Sequence, residues 1–139
     1  TFVHRDFHIS IIMFKNQKFF LIDNQDAVYG NITYDLASLI DDVRFKTSHS
    51  FKKKVLVYFL KKWSKKNNKQ KLLHDFRILS VLRNLKIIGI FIRLAQRDKK
   101  TKYLKLIPYC WKLIENRVGH DNLFRDLRFF LKKIKIQNM

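Results

Sequence analysis

Two carboxylates in the first quarter of the chain have the surroundings that chemistry needs. A short apolar strand, Phe2-Val3, delivers Asp6 into a loop, and Asp23 stands at the end of a second apolar run, Phe19-Phe20-Leu21-Ile22. Between them, Ile11–Phe14 and Phe19–Asp23 predict a hairpin closed through Lys15-Asn16-Gln17-Lys18. Carboxylates flanking such a hairpin meet the demands of phosphoryl transfer. One orients or accepts the proton of an attacking hydroxyl; the other holds the metal that bridges nucleotide phosphates. The plainer alternatives are an ordinary loop carboxylate for Asp6 and a strand-end cap for Asp23. His4 reads as a structural residue beneath the loop rather than a proton carrier. His8 reads as a pocket-lining residue or a prop, since no metal-ligand spacing accompanies it.

The rest of the chain must position these groups. Residues 1–23 read as β-rich, and 24–31 as a polar loop in which Gly30 permits a turn. Thr33 is expected to cap the next helix, with Asp35 near the positive end of its dipole. Leu36, Leu39, Ile40 and Val43 recur at helical spacing. A second helix is expected from about Phe51, with Leu56, Phe59, Leu60 and Trp63 on its apolar face and a polar break at 65–71. A long helix follows over about 72–96, where Gly89 implies close approach by a neighbour. Pro108 opens another helix, lined by Ile107, Cys110, Trp111, Ile114 and Val118 and stopped by Gly119. Asp121 caps a last one carrying Leu127, Phe130, Leu131 and Ile134. The pattern is α+β with helices dominant.

Composition bounds the rest. A chain of 139 residues with 47% hydrophobic content and thirteen Phe has the material for a core. Three Gly and one Pro are few for an all-β chain. A lone Cys110 forbids an internal disulfide and suits a reducing cytoplasm. The most apolar later stretch, Ile87–Leu94, is interrupted by Arg93 and falls far short of the ~20 residues that span a bilayer. The net charge of +19 raises nucleic-acid binding as a possibility. The lysine runs at 52–54, 61–62, 65–66 and 132–133 fall on expected solvated faces instead, and no Arg-rich arm or aromatic-interleaved basic strand appears. The start at Thr1, with a candidate loop almost at once, reads as a piece of a longer protein.

His4-Arg5-Asp6 has the form of the kinase catalytic-loop signature, in which Asp is the base. The longer runs Val3–His8, Leu21–Gly30 and Thr33–Leu39 resemble the aminoglycoside phosphotransferase (choline-kinase-like) family. They are most similar to its bacterial anomeric amino-sugar kinases acting on N-acetylmuramate and N-acetylglucosamine in cell-wall recycling. Asn84–Leu94, Arg97-Asp98 and Tyr103-Leu104 are similar to that branch's long helix and following loop. The resemblance implies a protein-kinase-like C-terminal lobe, a small hairpin segment followed by about five helices. It further implies ATP or GTP with Mg²⁺ as cofactors, and a sugar or aminoglycoside hydroxyl as acceptor.

Carried over by position, Asp6 is the base, Asp23 the Mg²⁺ ligand with His8 beside the cofactor, and Asp35 a prop for the loop with His4 and Arg5. Gln25, Asp26 and Arg44 are expected toward the substrate; for each, a hydrogen-bonded loop or a solvated role is the competing reading. Arg93 and Arg97 are expected at solvated or helix-end positions. Asn24 stands where the branch has an aromatic. Ile11 stands where the family has a metal-binding Asn, and it offers no oxygen to a hard cation. Asn16 and Asn24 are the nearest spare amides.

The expected organisation is one partial domain over 1–139, with catalytic and metal-binding loops at 1–33 and a helical subdomain at 34–139. A Gly-rich phosphate loop and a strand Lys are absent from the chain and belong to an upstream N-lobe. The fragment alone is therefore expected to be inactive. The competing functions are a pseudokinase-like remnant, in which Ile11 abolishes a metal contact, and a basic RNA-binding helical domain.

Overall fold

The computed structural model describes residues 1–119 and 121–137, with side chains up to 133. The described chain is mixed and helix-rich: four short strands, β1 (Phe2–Val3), β2 (Ile12–Lys15), β3 (Lys18–Leu21) and β4 (Val28–Tyr29), then five helices. These are α1 (Thr33–Ile40), α2 (His49–Trp63), α3 (Lys69–Asp98), α4 (Ile107–Val118) and α5 (Arg125–Gln137). It divides into two compact units, Thr1–Arg83 and Asn84–Met139. No described helix is long and apolar enough to cross a membrane.

In the first unit the strands form two antiparallel pairs. In one, β2 pairs with β3, Ile12 opposite Leu21 and Phe14 opposite Phe19. Asn16 and Gln17 close this hairpin at φ 49° and 58°, the left-handed pair that matches strand twist in a two-residue turn. Ile11, expected in the strand, belongs instead to a 3₁₀ turn over Ile9–Ile11. The other pair was not expected: Val28-Tyr29, read as loop, pairs with Phe2-Val3. Two residues are too few for a period to register, and their partner lies far away in sequence. Gly30 adopts no positive φ, contrary to the expected turn. A Cβ there meets Val3 Cγ2 at 3.3 Å, so the glycine serves close packing.

The cap of α1 also differs from expectation. Thr33 is wholly buried inside the helix, and Asn31 caps it, accepting from the Thr33 amide at 2.9 Å and from its hydroxyl at 2.8 Å. The α1 stripe Leu36-Ala37-Ile40 packs with Phe76 of α3, and Val55, Leu56 and Phe59 of α2 cover that cluster. Ser48 caps α2, so this helix starts two residues before Phe51. Asn68 accepts from the Gln70 and Lys71 amides to start α3, three residues earlier than the apolar pattern signals.

In the second unit Phe91 stacks on Tyr103, with ring centroids 5.3 Å apart. Pro108 lies in the first turn of α4, where its missing amide costs nothing. Cys110, Ile114 and Val118 form the buried side of α4, while Trp111 is half-buried. Gly119 keeps right-handed helical geometry (φ −55°) rather than the turn expected of a stop. Arg128 takes that role, donating from Nη1 to the carbonyls of Val118 at 2.8 Å and Gly119 at 3.0 Å. Asp121 accepts from the Leu123 amide and heads the 3₁₀ turn leading into α5. Phe130 of α5 is exposed, unlike Leu127 and Leu131, and Ile134 lies outside the residues whose side chains are described. Gly89 faces open space, with no described atom within 4 Å of a built Cβ, so the expected close approach is absent.

Candidate active site

The site is built where β1 ends. His4 is buried, and its amide donates to Asp35 Oδ2 at 2.7 Å; the next amide, of Arg5, donates to Asp35 Oδ1 at 3.0 Å. One ionised carboxylate thus receives two consecutive amides, the stronger class of hydrogen bond. The grip coincides with a bend in the backbone: Arg5 has φ 74°, a region that non-glycine residues occupy at a cost. Asp6 follows directly, exposed, and its carbonyl accepts from the His8 amide at 2.9 Å.

The second carboxylate lies on the loop leaving β3. Asp23 is exposed, with φ 65°, a conformation Asp tolerates better than most residues. Gln25 donates from its side-chain amide to Asp23 Oδ1. Two contacts fasten this loop to the one carrying Asp6. His4 Nε2 lies 3.0 Å from the Ile22 carbonyl, and Arg5 Nη1 donates to the Asp26 carbonyl at 3.3 Å. The residue before each carboxylate, or the one before that, is therefore tied to the neighbouring loop, and neither carboxylate is sealed in the interior.

The remaining expected residues divide. His4, Arg5 and Asp35 are brought together as the support of the loop. Gln25 is engaged with Asp23, and Asp26 is exposed with its backbone bound to Arg5. Arg44 is exposed, and its amide donates to Asp42 Oδ1 at 2.9 Å. Arg97 pairs with the adjacent Asp98 at 2.7 Å at the end of α3, the helix-end role expected of it, while Arg93 is exposed. His8 is half-buried, and its ring has a pKa below the ordinary histidine value. Burial is the main cause and the Arg44 charge the next, opposed by Asp42 and Asp6.

The metal-binding potential is narrow. Among the described residues no group of three or more His, Cys, Asp or Glu is gathered. Ile11 is 5% exposed, so the position where the resemblance implies a metal-binding Asn is filled by a core side chain. Asn16 sits in the hairpin turn, and Asn24 is exposed next to Asp23. One exposed carboxylate fits a Mg²⁺ ion that keeps several waters and is held largely by substrate phosphates, and fits no closed protein cage.

Three buried ionisable groups escaped the sequence reading. Asp41 and Asp42, 1% and 2% exposed, follow the apolar stripe of α1, and Arg83 of α3 is 5% exposed. Asp41 accepts from Ser80 Oγ and pairs with Lys52 Nζ at 3.3 Å. Asp42 Oδ2 accepts from the Ile9 amide at 3.3 Å. The available signal was the adjacent pair Asp41-Asp42 standing directly after the apolar stripe of α1 in a chain with 30 Lys and Arg against 11 Asp and Glu.

The model of the phosphotransferase enzyme family (APH) matches residues 1–72, and the chain belongs to that family. Among curated proteins it is similar to the N-acetylmuramate/N-acetylglucosamine kinase of Neisseria meningitidis, 36% identical over 78% of this chain and 34% of that protein. It is also similar to proteins of the same name from Pseudomonas aeruginosa, at 31% identity over 86% of this chain and 37% of the relative, and from Caulobacter vibrioides, at 29% over 83% and 33%. The chain spans about a third of the length of the curated relatives it matches.

Proposed function

We propose that these residues are the protein-kinase-like C-terminal lobe of a small-molecule kinase that phosphorylates an amino sugar, N-acetylmuramate or N-acetylglucosamine, in cytoplasmic cell-wall recycling. The observation that carries the reading is the double grip of Asp35 on the His4 and Arg5 amides beside the His4–Ile22 tie. This arrangement sets the loops of Asp6 and Asp23 side by side, in a chain of the phosphotransferase family. Asp6 takes or orients the proton of the sugar hydroxyl, whose oxygen forms the new bond to the γ-phosphorus as the bond to the nucleotide leaving oxygen breaks. Asp23, with Gln25 fixing its rotamer, is the residue to hold Mg²⁺ with the ATP or GTP phosphates. That ion supplies neutralisation of the charge developing on the transferred group.

His8 stays neutral beside Asp6 and lines the cofactor side; Asp26 and Arg44 stand toward the acceptor. Residues 1–33 carry the loops and 34–139 the helical subdomain. An N-lobe of the same protein closes over the nucleotide and supplies the phosphate loop and lysine missing from this chain. Positioning supplies most of the rate in such reactions, so the 139 residues alone are inactive.

The test is nucleotide turnover by the complete enzyme against N-acetylmuramate, N-acetylglucosamine and an aminoglycoside panel. Asp6→Asn and Asp23→Asn are each expected to remove at least about 10²-fold in kcat. Full activity of Asp6→Asn refutes the assigned base.

A second reading, a catalytically impaired remnant, draws on the buried Ile11. Placing an amide there by Ile11→Asn costs roughly 2–4 kcal/mol of stability if no ion meets it. Restored Mg²⁺-dependent nucleotide binding in that variant favours the remnant, whereas unchanged turnover in the parent favours the active kinase.

A further inference from the structure

The loop carrying Asp6 is held at both ends, and only one of its anchors was expected. Asp35 receives the amides of His4 and Arg5 at the near end. Asp42, seven residues further along the chain and just beyond α1, receives the amide of Ile9 at the far end through Oδ2 at 3.3 Å. Its other oxygen accepts from the Arg44 amide at 2.9 Å, which fixes the carboxylate plane. Residues 6–8 alone lie between the anchors, and the His8 amide already donates to the Asp6 carbonyl. The Ile11 amide then donates to the His8 carbonyl at 3.1 Å, closing the 3₁₀ turn behind it. The backbone bearing Asp6 is thus pinned every two or three residues.

We propose that Asp42, backed by Arg83, is a positioning residue for the Asp6 loop, setting the far end of the loop as Asp35 sets the near end. The proposal rests on the reading of Asp6 as the phosphotransfer base. It stands on burial as well as on hydrogen bonds. Asp42 is 2% exposed, and a buried carboxylate is tolerated only where hydrogen bonds and neighbouring charge offset the lost water. Arg83 is 5% exposed, and its Nη1 finds no hydrogen-bond partner among the described residues. Burial lowers the pKa of its guanidinium below the ordinary arginine value, and the nearby charges of Asp42 and Asp41 oppose that, while Arg44 adds to it. A buried guanidinium with a spare donor, within electrostatic reach of Asp42 and Asp41, serves as a counter-charge. Its rigid fork suits that use better than a lysine ammonium. Neither residue needs to touch nucleotide or sugar. Their effect passes through Ile9 and His8 to Asp6, where a displacement of about 1 Å can cost roughly 10²-fold in rate.

Asp42→Asn in the complete kinase tests this, because one amide oxygen cannot serve both Ile9 and Arg44 as two carboxylate oxygens do. Expected is a loss of about tenfold or more in kcat, with KM for nucleotide and sugar shifted less than about threefold. Hydrogen exchange at the Ile9 amide should accelerate about tenfold or more, while Leu36 and Ile40 keep their protection. Arg83→Met should give the same signature, and Arg83→Lys a smaller one. Unchanged kcat with unchanged Ile9 protection overturns the proposal. So does a uniform loss of protection across residues 1–83, which makes Asp42 a core residue with no special hold on the loop. An Asp6→Asn enzyme as active as the parent removes the base beneath the argument. The Ile9 exchange rate decides the anchor in that case too, because it needs no turnover.

Discussion

Asp35→Ala should be the most informative single change for the loop. The parent carboxylate accepts two backbone amides, His4 at 2.7 Å and Arg5 at 3.0 Å, in a partly buried setting. Hydrogen bonds to a charged acceptor contribute about 1.5–3 kcal/mol each, and partial exposure argues for the lower end. Both amides lose their partner in the alanine variant, so the loss is expected near 3 kcal/mol. Arg5 at φ 74° adds to the tendency of the loop to relax once released. Against a total stability of roughly 5–15 kcal/mol the change is large but compatible with folding. With an m-value of about 2 kcal/mol/M, the urea midpoint should fall by about 1.5 M at unchanged slope. Asp35→Asn keeps one acceptor oxygen and should lose about half as much. A loss under about 1 kcal/mol for the alanine variant, at unchanged m, means the amides find other partners and refutes the clamp.

Three further outcomes can be measured. His8 is held below the ordinary histidine pKa by burial and by Arg44, so the unfolded chain binds its proton more readily than the folded one. Its contribution to stability is therefore complete above about pH 6.5 and is lost as pH falls from there toward the folded value. His8→Gln should flatten that limb of a stability–pH curve, and an unaltered limb assigns it to other groups. Gly89→Ala places a methyl group in open space within α3 and should stabilise the chain by up to about 1 kcal/mol, read as a rise in thermal midpoint. Phe76→Ala removes a ring that is 2% exposed at the centre of the α1–α3 cluster and should cost about 3–5 kcal/mol in denaturant unfolding.

Much of the fold was legible because it repeats. The apolar stripes of α1 through α4 recur at helical spacing, and Pro108, Asp121 and the polar break before α3 carry local chemistry that marks helix ends. The hairpin was legible for the same reason, with two apolar runs joined by polar residues. Errors gathered where a choice between neighbouring polar groups is settled by packing. Asn31 displaced Thr33 as a cap because the threonine is drawn wholly into the interior. Arg128 rather than Gly119 closes α4, through a side chain reaching back from α5. Of the β1–β4 pair only Phe2-Val3 was legible; Val28-Tyr29 left no mark, since two residues have no period.

By itself the sequence determined the helical majority of the chain and marked Asp6 and Asp23 as candidates, because spacing and local residue type are carried by neighbours along the chain. Only the tertiary structure decided which polar groups are withdrawn from water. Asp42 and Arg83 look like ordinary surface charges until the chain folds and buries them in the interior, where a polar group is tolerated only with partners from other segments, as the Ile9 amide is for Asp42. The burial of Ile11 was settled in the same way, by packing between segments rather than by its own neighbours.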